Sequence, residues 1–204
     1  MGAVGAALLA ATAIASDAAT KYEEPNYKST LKEGQFEVRE YPSGIAASVE
    51  VNNGDKAANE ANEAFKILAG FIFGKNKSKQ KIAMTVPMTE AVVAEKIAMT
   101  APVTTKTSAD KMVMTFYMPS KYTMESLPEP SDSRIQISQT AVRKYAVVKF
   151  SGLATKRALK QQEEKLRTWM KEKNLEGTGD ALDAFYNPPW TLPFLRRNEI
   201  WISL

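Results

Sequence analysis

The side chains that most often carry enzyme chemistry are missing from this sequence. Its 204 residues include no His and no Cys. Without Cys there is no disulfide, thiolate nucleophile or Cys-based zinc site, and without His there is no Ser–His pair and no imidazole base near neutral pH. Paired carboxylates or an activated Lys could still serve as acid and base, but no pattern singles out such a pair. The sequence therefore predicts a protein that is not an enzyme.

A segment that occurs twice is the other feature that could carry chemistry. KIAMTVPM at residues 81–88 returns as KIAMTAPV at residues 96–103. Apolar residues alternate with small ones in each copy, as in a half-buried strand, and a Pro ends each run. We expect an antiparallel edge hairpin that was lengthened by tandem duplication. The second interpretation is that the Met and Val side chains of this arm help to wall a ligand pocket.

The composition is that of a globular domain, and its charge does not indicate nucleic-acid binding. Hydrophobic residues make up 44% and charged residues 25% of the chain, and the net charge is +4. Acidic residues interrupt the most basic stretch, as on a solvated helix face. The basic positions there are Lys156, Arg157, Lys160, Lys165, Arg167, Lys171 and Lys173, and the acidic ones are Glu163, Glu164 and Glu172.

The first 15 residues differ in kind from the rest of the chain. MGAVGAALLAATAIA carries no charged side chain and ends in Ala13-Ile14-Ala15, the small-x-small pattern of a signal-peptidase site. The run is too short for a membrane span, which needs about 20 apolar residues. We predict a cleaved leader at 1–15, a linker at 16–33 and one domain at 34–204. Removal of the leader would place the protein in the secretory pathway or a plastid, and otherwise it is cytoplasmic.

Hydrophobic periodicity divides the domain into two similar halves. In the first half we predict a hairpin over residues 36–51 that turns at Tyr41-Pro42-Ser43-Gly44, a helix over 56–73 that Gly74 stops, and a strand over 112–118. The stretch 119–132 is a loop. The second half has strands at 135–137 and 146–150, a helix over 155–173 that Gly177 and Gly179 end, and strands at 181–186 and 198–204. The helices present apolar stripes at Ala61, Ala64, Leu68 and Phe71 and at Leu159, Leu166, Trp169 and Met170.

The order strand, strand, helix, strand, strand therefore occurs twice. Two such units can bury their apolar sheet faces by closing on one another. The predicted fold class is α+β, a distorted antiparallel β-barrel built from two pseudo-symmetric halves with two flanking helices.

Several separated motifs carry a resemblance to a known family. They are the two KIAMT copies, FYMPSKY with LPEPSD, KFSG at 149–152, YNPPWTLP at 186–193 and RRNEIW at 196–201. In this order and spacing the chain resembles the SOUL family of haem-binding proteins, above all plant and algal members, over about residues 34–204. The resemblance implies the same barrel and a non-covalent site for haem or another tetrapyrrole, which the protein would carry or buffer.

The resemblance also implies where the ligand binds, on the outer side of the first helix facing the loop before the last strand. Phe65 and Phe73 would pack on the ring, Ala69 would leave room for it, and Lys66 would meet a propionate, with Arg196 or Arg197 as a second anionic partner. The implied site residues are Asn62, Phe65, Lys66, Ala69 and Phe73 of the helix and Trp190, Thr191, Leu192 and Arg196 of the loop. The structural alternative is that the two Phe rings pack under a neighbouring loop and that Lys66 is a solvated charge.

This chain departs from relatives that have been assigned an axial His, because it has none. Haem iron would be unligated by protein or held by a Tyr, Met or Lys, so ring burial must supply the affinity and an iron-free porphyrin should bind about as well. Two other hypotheses about the function remain. One is a ligand-sensing or protein-interaction module, since the repeated plan also resembles sensing domains of multidrug-responsive regulators. The other is a lipid-associated or hydrolytic role in pigment turnover, which would need an acid–base pair.

Overall fold

The computed structural model describes residues 22–52, 57–79, 94–108 and 110–204. The predicted leader at 1–15 and the first KIAMT copy lie outside the described residues. The strands are β1 (Lys28–Glu33), β2 (Phe36–Tyr41), β3 (Gly44–Asn52), β4 (Asn76–Lys77), β5 (Val103–Thr107), β6 (Lys111–Tyr117), β7 (Glu129–Pro130), β8 (Gln136–Thr140), β9 (Arg143–Phe150), β10 (Thr178–Phe185) and β11 (Asn198–Ser203). The helices are α1 (Ala57–Ile72) and α2 (Lys156–Glu172), and a 3-10 turn, Pro193–Leu195, precedes β11.

The main sheet is antiparallel and has the internal symmetry that the sequence predicts. Nine strands follow the order β1-β2-β9-β11-β10-β5-β6-β3-β8. Each strand of one half has a counterpart in the other: β2 corresponds to β8, β3 to β9, β5 to β10 and β6 to β11. If each strand is replaced by its counterpart, the order is the same when it is read from the other edge. β1 is an additional strand at one edge. β5 and β10 meet at the centre, where Val103 lies opposite Phe185. The predicted α+β fold, a distorted barrel of two halves with two flanking helices, is confirmed.

The predicted hairpin at Tyr41-Pro42-Ser43-Gly44 is wrong. β2 pairs with β1 and β9, whereas β3 pairs with β6 and β8. The two strands separate because their apolar faces belong to different cores: Val38 packs in the α2 core and Val49 in the α1 core. The turn is therefore a corner that passes the chain from one half to the other. The turn between β8 and β9 does the same, so those consecutive strands do not pair either.

The apolar stripe of α1 lies in the core as predicted. Ala64, Leu68 and Phe71 are fully buried and pack with Met114 and Phe116 of β6. The helix ends at Ile72, and Gly74 follows with a φ of +115°, which favours glycine.

The stripe of α2 is also buried, but the residue that ends this helix differs from the prediction. Thr155 caps the start, because its hydroxyl accepts the N–H of Ala158 at 3.2 Å. The helix ends at Glu172, and Asn174 takes the left-handed conformation at a φ of 53°, so Gly177 and Gly179 do not end it. Asn reaches this region at little cost.

Gly177 serves close packing instead. A Cβ at this position would come within 2.6 Å of Ile202 Cγ2 and still closer to Met170 Cε. The glycine therefore lets the chain after α2 pass directly over the core of the second half.

The second KIAMT copy is not a strand, apart from its last residue, Val103, which begins β5. Residues 94–99 form no strand, and Thr100 makes only an isolated parallel bridge with Glu23. Ile97 is buried, and its N–H donates to the carbonyl of Ile72 at 2.8 Å. Carbonyls at a helix C-terminus need such donors, so this copy covers the end of α1. Its β-like alternation describes an extended chain without ladder partners.

Three short or exposed strands have no sequence signal. All six residues of β1 are exposed, so it shows no buried face, and it lies in the segment predicted as a linker. β7 lies inside the loop predicted over 119–132 and pairs over two residues with β4, for which the sequence predicted no element. No helix in the described part of the chain is long and apolar enough to cross a membrane.

Candidate functional site

The face of the sheet opposite the helices carries buried charges. On β11, Ile200 and Ile202 pack in the α2 core, so Glu199 and Trp201 point to the other face. Glu37 and Arg39 of β2 lie on the same side. We call this the helix-free face.

Glu199 is the centre of this charged cluster and is fully buried. Its carboxylate accepts from Arg39 at 2.8 and 3.2 Å, from Arg197 at 2.9 Å, and from Tyr186 Oη and Trp201 Nε1 at 2.8 Å each. Burial alone would raise the pKa of Glu199, but the two guanidinium groups and these hydrogen bonds hold it below its ordinary value. The carboxylate is therefore charged and has all its acceptor positions used.

The groups around Glu199 are fixed as donors. Burial, together with the Glu199 charge, raises the pKa of Tyr186 well above its ordinary value, so the phenol stays protonated and donates. Arg39 also donates to Glu37 at 2.7 Å, and Arg197 lies over the Tyr186 ring at 3.7 Å. A saturated carboxylate cannot act as a base, and the two guanidinium groups are balanced by Glu199 and Glu37, so this cluster holds side chains in position and carries no net charge. Among the described residues no group of acidic side chains could hold a metal ion.

A groove of about 1780 Å³ opens over this cluster. Its floor includes Glu37, Arg39, Tyr186 and Arg197, and one side is the loop between β10 and β11. That loop presents four exposed apolar side chains. Their exposed fractions are 81% for Trp190, 56% for Leu192, 70% for Phe194 and 60% for Leu195.

Local hydrogen bonds hold this loop in place. Gly152 N–H donates to the carbonyl of Pro193 at 2.9 Å. The guanidinium of Arg196 donates to the carbonyl of Thr191 at 2.7 Å and to that of Pro189. The predicted anion partner Arg196 is thus engaged by its own loop, and Arg197 is the guanidinium at the floor of the groove.

The nine predicted site residues fall into two sets. Trp190, Thr191, Leu192 and Arg196 line the groove, and none of the five helix positions lines it. Asn62 and Lys66 are exposed on the outer face of α1, and Ala69 is half-buried. Phe73 is 60% exposed, whereas Phe65 is 38% exposed and makes an edge contact with Phe116 at 5.5 Å between ring centroids. That both sets hold one ligand stays a prediction.

The first described residues cross the helix-free face. We call residues 22–27 the strap. The Glu23 carboxylate accepts the N–H of Ser120 at 2.8 Å, Glu24 pairs with Arg197 at 2.9 Å, and the Tyr27 ring lies 4.4 Å from the guanidinium of Arg39. Strap residues line the groove on one side and a smaller cavity of about 150 Å³ on the other.

The charged cluster is absent from the sequence-based prediction, although a signal for it exists. Glu37, Arg39 and Tyr41 alternate along one strand, and Arg197, Glu199 and Trp201 alternate along another. Charges of both signs at period two beside aromatic rings, on strands whose other face is apolar, indicate a second buried face.

Comparisons with known proteins agree with this fold. Residues 22–203 match the model of the family described as "SOUL heme-binding protein". The chain is similar to "Heme-binding protein 2" of Mus musculus, with 28% identity over 174 residues that cover 83% of this chain and 78% of that protein. It is 29% identical to "Heme-binding protein 1" of Mus musculus over 174 residues, which cover 82% and 83%.

A solved structure has the same fold at low identity. The C-terminal domain of EcmrR superposes with a TM-score of 0.56 and 12% identity, covering 87% of this chain and 96% of that one. Because the family model spans nearly the whole described structure, and the two halves and helices are those expected from the shared motifs, this chain belongs to the SOUL heme-binding protein family.

Proposed function

We propose that this protein binds haem or a related tetrapyrrole non-covalently and carries or buffers it without converting it. The family and the names of the two mouse relatives support the ligand class. The groove on the helix-free face is the observation that carries the proposal, because it places exposed aromatic and aliphatic side chains beside guanidinium groups. A tetrapyrrole needs that combination, since it is a planar apolar ring with carboxylate substituents.

The charge of the groove suits an anionic ligand. Its lining contains five cationic and two anionic side chains, namely Lys32, Arg39, Lys149, Arg196 and Arg197 against Glu24 and Glu37. Arg39 is 3% exposed and held by the buried Glu199, so it is not free to move to a ligand. The Arg197–Glu24 pair is partly exposed, and such pairs contribute only about 0–1 kcal/mol. A propionate can therefore replace Glu24 on Arg197 at small cost.

No His can ligate iron, so ring burial supplies the affinity. Trp190 and Leu192 would cover the ring from the loop. The predicted helix positions lie across the sheet from the groove, so they are a second location for the same ring: there Phe65 and Phe73 would pack on it from α1, Ala69 would leave room, and Lys66 with Asn62 would provide polar contacts. We expect micromolar or weaker binding, with nearly equal affinity for haem and for iron-free protoporphyrin.

A protein-interaction module is the second candidate function. Trp190, Phe194 and Leu195 are unusually exposed for large apolar side chains, and contiguous patches of this kind often contact a partner. In that case the groove would be a docking surface and would show no saturable pigment binding.

The test is a titration of the protein with haem and protoporphyrin side by side, followed by Trp fluorescence and by the Soret band. Haem and protoporphyrin quench all three Trp residues by energy transfer across the whole domain, so the Soret band is the readout that compares Trp190→Ala with the unmodified protein. Trp190→Ala tests the loop and Phe65→Ala tests the helix. Loss of one ring-stacking contact should weaken binding by about tenfold.

Val142→Ser is the matched control, because Val142 is 61% exposed but does not line the groove. Weaker binding in Trp190→Ala but not in Phe65→Ala or the control supports a site in the groove, and weaker binding in Phe65→Ala alone supports a site on α1. If neither pigment binds saturably, tetrapyrrole carriage is refuted and the interaction module is favoured.

A further inference from the structure

The smaller cavity on the helix-free face lies between the corner turns of the two halves. It has a volume of about 150 Å³. The corner after β2 and the corner after β8 form its two sides, the strap residues Glu23 to Asn26 form a third, and Trp201 lies among the residues at its base. Both pseudo-symmetric halves therefore contribute to a cavity that is separate from the tetrapyrrole groove.

The inner lining offers aromatic faces. The Trp201 ring lies 5.0 Å from Tyr41, 5.4 Å from Tyr145 and 6.5 Å from Tyr117, measured between centroids. The polar atoms of these rings are already used, since Trp201 donates to Glu199 and the Tyr117 hydroxyl lies 3.4 Å from Thr104 Oγ1. Trp201 is covered by the tyrosine rings, whereas Tyr117 is half-buried and lines the cavity, so Tyr117 offers an apolar ring surface to a planar ligand.

The volume restricts the guest to one ring. A cavity of about this size holds benzene, whereas pockets for drug-sized ligands are about 300–1,000 Å³. The cavity therefore cannot enclose a tetrapyrrole, and its ligand differs from the one proposed for the groove.

Arg143 supplies the charge at this cavity. Its Nη1 lies 3.5 Å from Tyr145 Oη, and it makes no salt bridge within the part of the chain that the structure describes. Of the two acids in the lining, Glu24 pairs with Arg197, whereas Glu23 accepts the neutral N–H of Ser120 and keeps its negative charge. A carboxylate is therefore favoured only where it sits directly on Arg143, and the Glu23 charge disfavours a second negative charge on the ligand.

We propose that this cavity binds a single-ring aromatic monocarboxylate of about the size of benzoate, with the ring against Tyr117 and the carboxylate on Arg143. This site does not depend on tetrapyrrole binding. The cavity opens to solvent at the corner turns, where Ala141 and Arg143 are exposed. A small acid can therefore enter without opening the sheet.

Calorimetric titration of the full-length protein with sodium benzoate tests the proposal, with benzamide as the neutral probe of the same shape. We expect saturable binding of one benzoate and much weaker binding of benzamide. Arg143→Gln should weaken benzoate binding by about 10- to 100-fold, because it removes a charge-assisted hydrogen bond. Arg134→Gln is the control, since it removes an equal charge from an exposed Arg that does not line the cavity.

A second variant tests the location without removing a charge. Ala141→Phe adds a ring at the exposed mouth and should abolish benzoate binding while the melting temperature stays unchanged. Trp190→Ala, which perturbs the groove, should leave benzoate binding unaltered. The proposal is refuted if benzoate shows no saturable heat, if benzamide binds equally well, or if Arg143→Gln and Ala141→Phe bind benzoate as the unmodified protein does.

Discussion

We expect Glu199→Gln to destabilise the fold strongly. Gln keeps the shape of Glu199 but removes the charge that faces Arg39 and Arg197. Arg39 is 3% exposed and would keep only Glu37, at 2.7 Å, as a charged partner. Removing one member of a buried ion pair costs about 3–5 kcal/mol. For a domain of this size, about 2–4 °C of melting temperature accompanies each kcal/mol, so the melting temperature should fall by roughly 6–20 °C.

Urea unfolding and calorimetric melting measure this effect. Glu163→Gln is the control, because the Glu163–Arg167 pair has the same chemistry on the exposed face of α2, and exposed pairs of this kind contribute about 0.3–0.5 kcal/mol. A loss below about 1 kcal/mol for Glu199→Gln would refute the argument that this carboxylate compensates the buried guanidinium.

The pH dependence separates charge from packing. The folded-state pKa of Glu199 is lowered, so its contribution to the free energy of unfolding is complete above the pKa of the unfolded chain, about 4.3. That contribution is lost as the pH falls through the lower folded pKa. The stability gap between the protein and Glu199→Gln should therefore shrink below about pH 4. A gap that is independent of pH would mean that the variant acts through packing alone.

Two further substitutions test other features of the fold. Gly177→Ala should destabilise by about 1–3 kcal/mol in urea unfolding, because its Cβ meets Met170 and Ile202, whereas Gly44→Ala, with its nearest atom at 3.7 Å, should change stability by less than about 0.5 kcal/mol. Burial raises the pKa of Asp183 to about 6, so its charge costs stability as the pH rises from about 4 to 6; Asp183→Asn should stabilise by about 1–2 kcal/mol at pH 7.5 and by little at pH 4. Equal effects of the two glycine variants, or a pH-independent effect at Asp183, would contradict these arguments.

Much of the secondary structure follows from local patterns. The apolar stripe of α1 and the Met alternation in β6 predict which faces are buried, because side chains on one face recur every 3.6 residues in a helix and every second residue in a strand. β1 could not be predicted in this way, because all six of its residues are exposed and its sequence therefore has no apolar alternation. The end of α2 is missed because Asn174 takes the conformation that the glycines after it were expected to take.

The pairing of the strands could not be predicted from local patterns. The turn at Pro42 and Gly44 looks like a hairpin turn over a short window, but its two flanking strands belong to different cores. No local pattern records which helix a strand will face. Likewise, the alternation in the second KIAMT copy predicts a strand, but in the structure this segment contacts the end of α1.

The sequence by itself determined the repeated strand and helix plan, the family, and the absence of thiol and imidazole chemistry, because periodicity, motifs and composition are properties of the chain alone. Only the tertiary structure decided how the halves exchange strands and where charge is buried. Glu199 and Arg39 are 160 residues apart in the chain, and their pairing depends on β9 lying between β2 and β11. Grooves and cavities lie between elements that are distant in sequence. The loop between β10 and β11, Arg143 and Trp201 therefore line the groove and the smaller cavity only in the folded sheet.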